Sequence, residues 1–243
     1  CAQVISVMIS LVMIIRQREK FSLSRKDFRP NRNVMGQILK IGIPIALQDG
    51  FIQVAFMIIT IIANQRGLND AAAVGIVEKI IGFLFLIPSS MLSTVSALGA
   101  QNIGAGKRQR ANETLRYAVM ITVGFGIIVG IFMQFFASPV VALFTDASDA
   151  SGAEVVRLGG QYLRGYVWDC MFAGIHFSFS GYFCACGKSG ISFLHNIIAI
   201  TLVRIPGVYL TSTLFPDTLF PMGLATAAGS LLPQLSVLLH LQS

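Results

Sequence analysis

Apolar residues run along this chain in blocks of about twenty, each closed by a short polar segment. The long blocks cover 41–63, 71–103, 117–137, 158–186, 191–214 and 220–239, and a shorter one opens the chain at 1–15. A helix needs about 20 residues to cross the hydrocarbon of a bilayer, so the six long blocks predict six spans. They must be helices, because a backbone in lipid has to satisfy its own N–H and C=O groups. The blocks at 71–103 and 158–186 exceed that length and predict helices that tilt or project into water. Residues 1–15 are too short to span alone and follow no basic leader. They predict the end of a spanning helix whose upstream portion is missing, so the chain reads as a fragment.

The intervening segments have characters of their own. Residues 16–40 are basic and polar around Pro30, which predicts a connector ending in a short surface helix before Lys40. SPVVALF at 138–144 predicts a short helix lying in the interface. TDASDASGAE at 145–154 predicts a solvated turn.

Composition agrees with lipid as the solvent: 54% of residues are hydrophobic and 12% charged, against about 25% charged in a soluble domain. The net charge of +7 does not mark a nucleic-acid binder, because the basic residues punctuate apolar runs and form no face with interleaved aromatics. Their placement sets orientation. Thirteen basic residues lie in one set of loops (16–40, 107–116 and Lys188), and three lie in the other set, beside Asp70, Asp146, Asp149, Glu154 and Asp217. The positive-inside rule then has the block at 41–63 enter from the cytoplasm and returns the C-terminus to it. This predicts a multi-pass protein of the plasma membrane.

The four cysteines offer no metal site, since Cys184 and Cys186 are two residues apart and point to different sides of a helix. No nucleophile elbow, zinc-protease motif or P-loop is present, and GAGK at 104–107 lacks the P-loop spacing. The chain is expected not to be an enzyme and to need no cofactor.

Ionisable residues inside spans are costly and mark functional candidates. Five occur: Asp49, Glu78, Lys79, Asp169 and Arg204. Asp49 shares a helical face with Gln53 and Thr60, a polar stripe that serves either a cavity or interhelical hydrogen bonding. Glu78 either joins that cavity or pairs with a cation on a neighbouring helix. Asp169 lies near mid-membrane with Tyr162, Tyr166, His176 and Ser180 on its face, and a buried carboxylate can take up and release a proton or a sodium ion. His176 is either a relay or a satisfied polar residue. Arg204, followed by Pro206, is expected to form a structural ion pair with Asp169 or Glu78.

IGIPIALQ at 41–48, AAAVGIVEKI at 71–80, QNIGAGKRQRA at 101–111, CGKSG at 186–190 and RIP at 204–206 together resemble the C-terminal half of multidrug and toxic compound extrusion (MATE) transporters. The resemblance implies an all-α polytopic membrane protein: the six-helix lobe of a twelve-helix transporter, plus the end of the preceding helix. Residues 1–15 would end helix six, 16–40 would be the cytoplasmic inter-lobe linker, and 41–243 would form the C-terminal lobe, partnered by a missing N-terminal lobe. It further implies antiport of cationic or amphipathic small molecules by alternating access, driven by sodium ions or protons. A lipid-linked sugar or lipid flippase of the same superfamily is the alternative. A membrane scaffold is the third reading, and the mid-membrane Asp49 and Asp169 argue against it. The sequence departs from the family at Ile52, where some branches carry Glu, and at Lys79, where many members carry Arg.

Overall fold

The computed structural model describes residues 2–16, 30–145 and 149–231, and among them the secondary structure is helical. The chain divides into two units, 1–40 and 41–243. In the first, α1 (Ala2–Arg16) is a single apolar helix. Residues 17–29 of the expected connector lie outside the described residues. No separate surface helix precedes Lys40: Arg32–Lys40 is the first part of a continuous helix, α2 (Arg32–Arg66), which Asn31 caps through its side chain. Pro44 stands inside α2 and removes one backbone hydrogen bond.

In the second unit, three of the predicted spans are jointed. The block at 71–103 is α3 (Leu68–Leu84) and α4 (Leu86–Gly104), meeting at Phe85. Pro88 explains the joint, since proline fits a helix's first turn, where its missing N–H costs nothing. The block at 158–186 is α6 (Ala150–Tyr166) and α7 (Asp169–Ala185), joined by tight i→i−3 bonds from Cys170 to Val167 and from Met171 to Trp168. The block at 191–214 is α8 (Ser189–Ala199), one π-helical turn (Ile200–Arg204) and α9 (Ile205–Leu214). The wider turn directly precedes Pro206, which cannot donate into a regular α-ladder.

Two loop expectations are corrected. Residues 138–142 extend α5 (Arg108–Ala142) and form no separate interfacial helix, with Pro139 accommodated near the helix end. Most of 145–154 that is described is the start of α6, where the Asp149 carboxylate accepts a hydrogen bond from Gly152 N–H at 2.6 Å as an N-cap. The last helix among the described residues, α10 (Phe220–Ala228), begins where predicted, and the expected span beyond residue 231 lies outside those residues. Among the described residues, four helical stretches, 32–66, 68–104, 108–142 and 189–214, are long and apolar enough to cross a membrane.

The core forms around α6. Tyr162, Leu163, Tyr166 and Val167 are fully buried against Val74 and Val77 of α3, Met133 and Val141 of α5, and Leu219 and Met222 beside and in α10. Lipid gives helices no hydrophobic reason to associate, so close packing of small residues has to do it. A Cβ at Gly165 of α6 would lie 2.6 Å from the Phe220 carbonyl oxygen, so only glycine lets α10 approach. At the opposite face of the same contact, Gly223 is equally intolerant of a side chain. Arg66 staples one end of the unit. Its five N–H groups reach Asp70 and the carbonyls of Ser212, Phe215, Pro216 and Thr218, thereby closing the otherwise open C-terminus of α9.

Candidate functional site

A cavity of about 660 Å³ opens between α2, α3 and α7. Asp49, Gln53 and Phe56 line it from α2, spaced by four and three residues so that one face of the helix presents all three. Glu78 and Lys79 line it from α3, and Phe85 and Phe177 complete an aromatic wall with Phe56. The stripe read from the sequence therefore does face a cavity, and it brings Asp49, Gln53 and Glu78 to one place.

The two carboxylates differ. Asp49 makes no hydrogen bond or ion pair among the described residues. Glu78 is reached by the Thr60 hydroxyl, 3.3 Å from Oε1. That hydroxyl also lies 3.0 Å from the Phe56 carbonyl oxygen, so its one proton is shared between the two acceptors. The neighbour of Glu78 is thus a hydroxyl where a cation was one of the expectations.

Asp169 and Arg204 lie outside this cavity. Arg204 Nη2 donates to Asp169 Oδ2 at 2.7 Å and approaches the Tyr166 hydroxyl at 3.2 Å. Of the two carboxylates that the sequence offered Arg204, Asp169 is the one it meets. The carboxylate is fully buried, and the guanidinium side chain is 8% exposed. The α6–α7 joint places Asp169 in the first turn of α7, where the helix end favours negative charge. The Arg204 guanidinium carbon lies 5.4 Å from the Phe56 ring centroid and 5.8 Å from that of Tyr166, within cation–π range. Phe85 meets Tyr166 edge to face at 6.4 Å. Phe56 and Phe85 therefore touch the cavity on one side and the ion pair or its tyrosine on the other.

His176 belongs to neither group. Its Nε2 lies 3.4 Å from Gln48 Nε2, while Ser192 donates to Gln48 Oε1 at 3.1 Å and meets Ser180 at 2.6 Å. This network ties α2, α7 and α8 together through buried side chains. Tyr162 takes a further partner, Thr226 of α10, at 3.3 Å. The residues that share the Asp169 face in sequence thus meet different neighbours at each level. Ser192 drew no role from the sequence, whereas the signal for Gln48 was its place beside Asp49 in the polar stripe of α2.

The family model MatE matches residues 44–210. The chain is 26% identical over 212 residues to a probable multidrug resistance protein, YpnP, of Bacillus subtilis (strain 168), covering 87% of this chain and 46% of that protein. It is 21% identical over 213 residues to a probable multidrug resistance protein, NorM, of Halalkalibacterium halodurans, covering 88% and 45%. Among solved structures, a MATE transporter in its straight conformation superposes with a TM-score of 0.83 at 18% identity, covering 98% of this chain and 52% of that one. The Vibrio cholerae MATE transporter VcmN in its bent form gives 0.80 at 17% identity, with the same coverage. The chain spans about half the length of the proteins it matches.

Proposed function

The chain belongs to the MatE family, the multidrug and toxic compound extrusion transporters, and from that premise we propose that it supplies one helical lobe of a secondary active exporter of cationic or amphipathic small molecules. A second lobe, of the size by which the relatives exceed this chain, completes the transporter. Cargo crosses by alternating access between the lobes, and a gradient of sodium ions or protons drives it. The protein is a multi-pass component of the plasma membrane with its C-terminus in the cytoplasm.

The observation that carries this reading is the cavity in which two carboxylates, Asp49 and Glu78, stand among three phenyl rings, Phe56, Phe85 and Phe177. A lipophilic cation leaving water needs apolar surface, ring faces and a counter-charge, and this cavity offers all three. Asp49, with no protein partner among the described residues, is free to meet the cargo or the coupling ion. A proton or sodium ion arriving at Asp49 or Glu78 would cancel the counter-charge and release the cargo. Gln53 supplies a neutral polar contact beside them. Two carboxylates against the single Lys79 also disfavour the diphosphate headgroup of a lipid-linked sugar, which would require a cationic cavity.

The Asp169–Arg204 pair stands behind the aromatic wall, where it can respond to the cavity through Phe56 without touching cargo. His176, held by Gln48, ties α2 to α7 at the level next to Asp49.

The test is accumulation of ethidium in cells expressing the complete protein. Asp49→Asn and Glu78→Gln should raise accumulation to the level of cells without the transporter, with the amount of protein in the membrane unchanged. Accumulation as low as in the wild type for both variants would remove the cavity from the transport path. Repeating the wild-type measurement in sodium-free buffer separates the two coupling ions.

A further inference from the structure

A second, smaller cavity of about 320 Å³ lies at the end of the second unit where α4 turns into α5 and α7 turns into α8. The two turns are built alike. Gly106 (φ 74°) and Gly187 (φ 70°) take the left-handed conformation that ends a helix. Each is followed by a lysine whose N–H bonds five residues back, Lys107 to Asn102 and Lys188 to Phe183, both at 2.8 Å. The turns lie side by side because α4 and α7 do: a Cβ on Gly99 would come 2.9 Å from that of Ala185. Tyr182 of α7 donates to Asn112 Oδ1 of α5 at 2.6 Å and so fixes the start of α5 against the end of α7. This construction sets Arg108 and Lys188 on one cavity, together with Tyr182, Cys186 and Ile103.

The charges here are unlike those at the other end of the unit. Arg66 and Arg157 each meet a carboxylate, Asp70 and Glu154. Arg108 and Lys188 meet none among the described residues, and no carboxylate lines their cavity. Glu113, the one acidic residue of 108–116, accepts from Gln109 on its own helix. Two cations, one opening α5 and one in the turn before α8, thus share a recess with a tyrosine and an isoleucine and meet no carboxylate among the described residues.

We propose that this recess binds a phosphate group, that of an anionic phospholipid headgroup in the leaflet facing the basic loops. Basic pockets between membrane helices on the cytoplasmic side suit such headgroups. A lipid, not soluble phosphate, fits the surroundings, because the recess lies where the helical stretch 68–104 ends and 108–142 begins, both apolar enough to cross a membrane, which is the level of the headgroups. The leaflet rests on the topology proposed above, whereas the phosphate contact does not, and the test below needs no transport.

The complete protein, purified in detergent, is mixed with phosphatidylglycerol or phosphatidylcholine, and the lipid retained is counted by native mass spectrometry. The wild type should retain phosphatidylglycerol in preference to phosphatidylcholine. Arg108→Gln with Lys188→Gln should lower phosphatidylglycerol affinity about 25-fold, the product of about fivefold for each cation near an anionic group. Arg110→Gln with Arg116→Gln removes the same charge outside the recess and should leave retention unchanged. Equal losses in the two double variants would overturn the site in favour of diffuse attraction, and so would equal retention of the two lipids by the wild type. Displacement of phosphatidylglycerol by inorganic phosphate at equal concentration would overturn the lipid as its source.

Discussion

Arg204 holds its charge in the interior by meeting Asp169 at 2.7 Å and the faces of Phe56 and Tyr166. Removing one member of a buried pair strands the other, at a cost of about 3–5 kcal/mol, whereas replacing both by apolar residues of similar volume is often neutral. Asp169→Asn and Arg204→Met should therefore each lower the thermal midpoint in detergent, and Asp169→Leu combined with Arg204→Met should recover most of the loss. A double variant as unstable as either single one would show that the pair is not what the singles remove. The need for a partner was legible in the sequence, because an unpaired guanidinium in a span is too costly to keep. Which carboxylate it meets was not, since that depends on depth and rotation, and the π turn at Ile200–Arg204 shifts both by a residue that no periodicity marks. The same limit explains His176. Seven residues place it on the Asp169 face, yet about 10 Å farther along the axis, where the neighbour is Gln48 of α2 and not the ion pair. The stripe of Asp49, Gln53 and Thr60 was legible because a single unbroken helix carries it.

The joints show where helix physics and sequence periodicity part. Proline stands at two of them, Pro88 and Pro206, but the residue type alone does not mark a break, because Pro44 stands inside the continuous α2 and Pro139 inside α5. The joint at Val167–Trp168 has no proline and was not readable; it lies just after the close contact of Gly165 with α10. That contact makes a prediction about the element. Gly165→Ala sets a methyl group against the Phe220 carbonyl oxygen and should cost about 1–3 kcal/mol by overpacking. Gly124→Ala, on a face of α5 with nothing within 4 Å, should instead stabilise by about 0.5–1 kcal/mol through helix propensity. Thermal unfolding of the two variants should move in opposite directions, and a fall of equal size in both would deny that α6–α10 packing is the cause. Arg66→Ala belongs to the same scale. It releases Asp70 and four carbonyls at the end of α9 at once, so protection of that segment from hydrogen exchange should fall, while that of α4 and α5 should not.

At the scale of the whole molecule, charge separates the two ends of the second unit. At one end Arg66 and Arg157 have their own carboxylates, and the acidic Asp149 is spent on the α6 N-cap. Arg157 also holds the exposed Glu154 carboxyl below the usual range by hydrogen bonding, an internal pairing that leaves little for a membrane surface to attract. At the other end Lys107, Arg108, Arg110, Arg116 and Lys188 have no carboxylate partner among the described residues. Unpaired cations gain by lying against an anionic leaflet, and paired ones do not, so the pairing pattern supports the proposed orientation independently of the residue count in the loops, although the Arg164 side chain, among the described residues, meets only the Ser138 hydroxyl. In a background lacking the native cysteines, a cysteine at position 217, on the exposed turn between α9 and α10, should react with an impermeant maleimide added to intact cells. A cysteine at position 107 should react only after the cells are opened. Reaction of position 107 in intact cells would invert the proposed orientation, and with it the side from which the cavity of Asp49 and Glu78 is proposed to receive cargo.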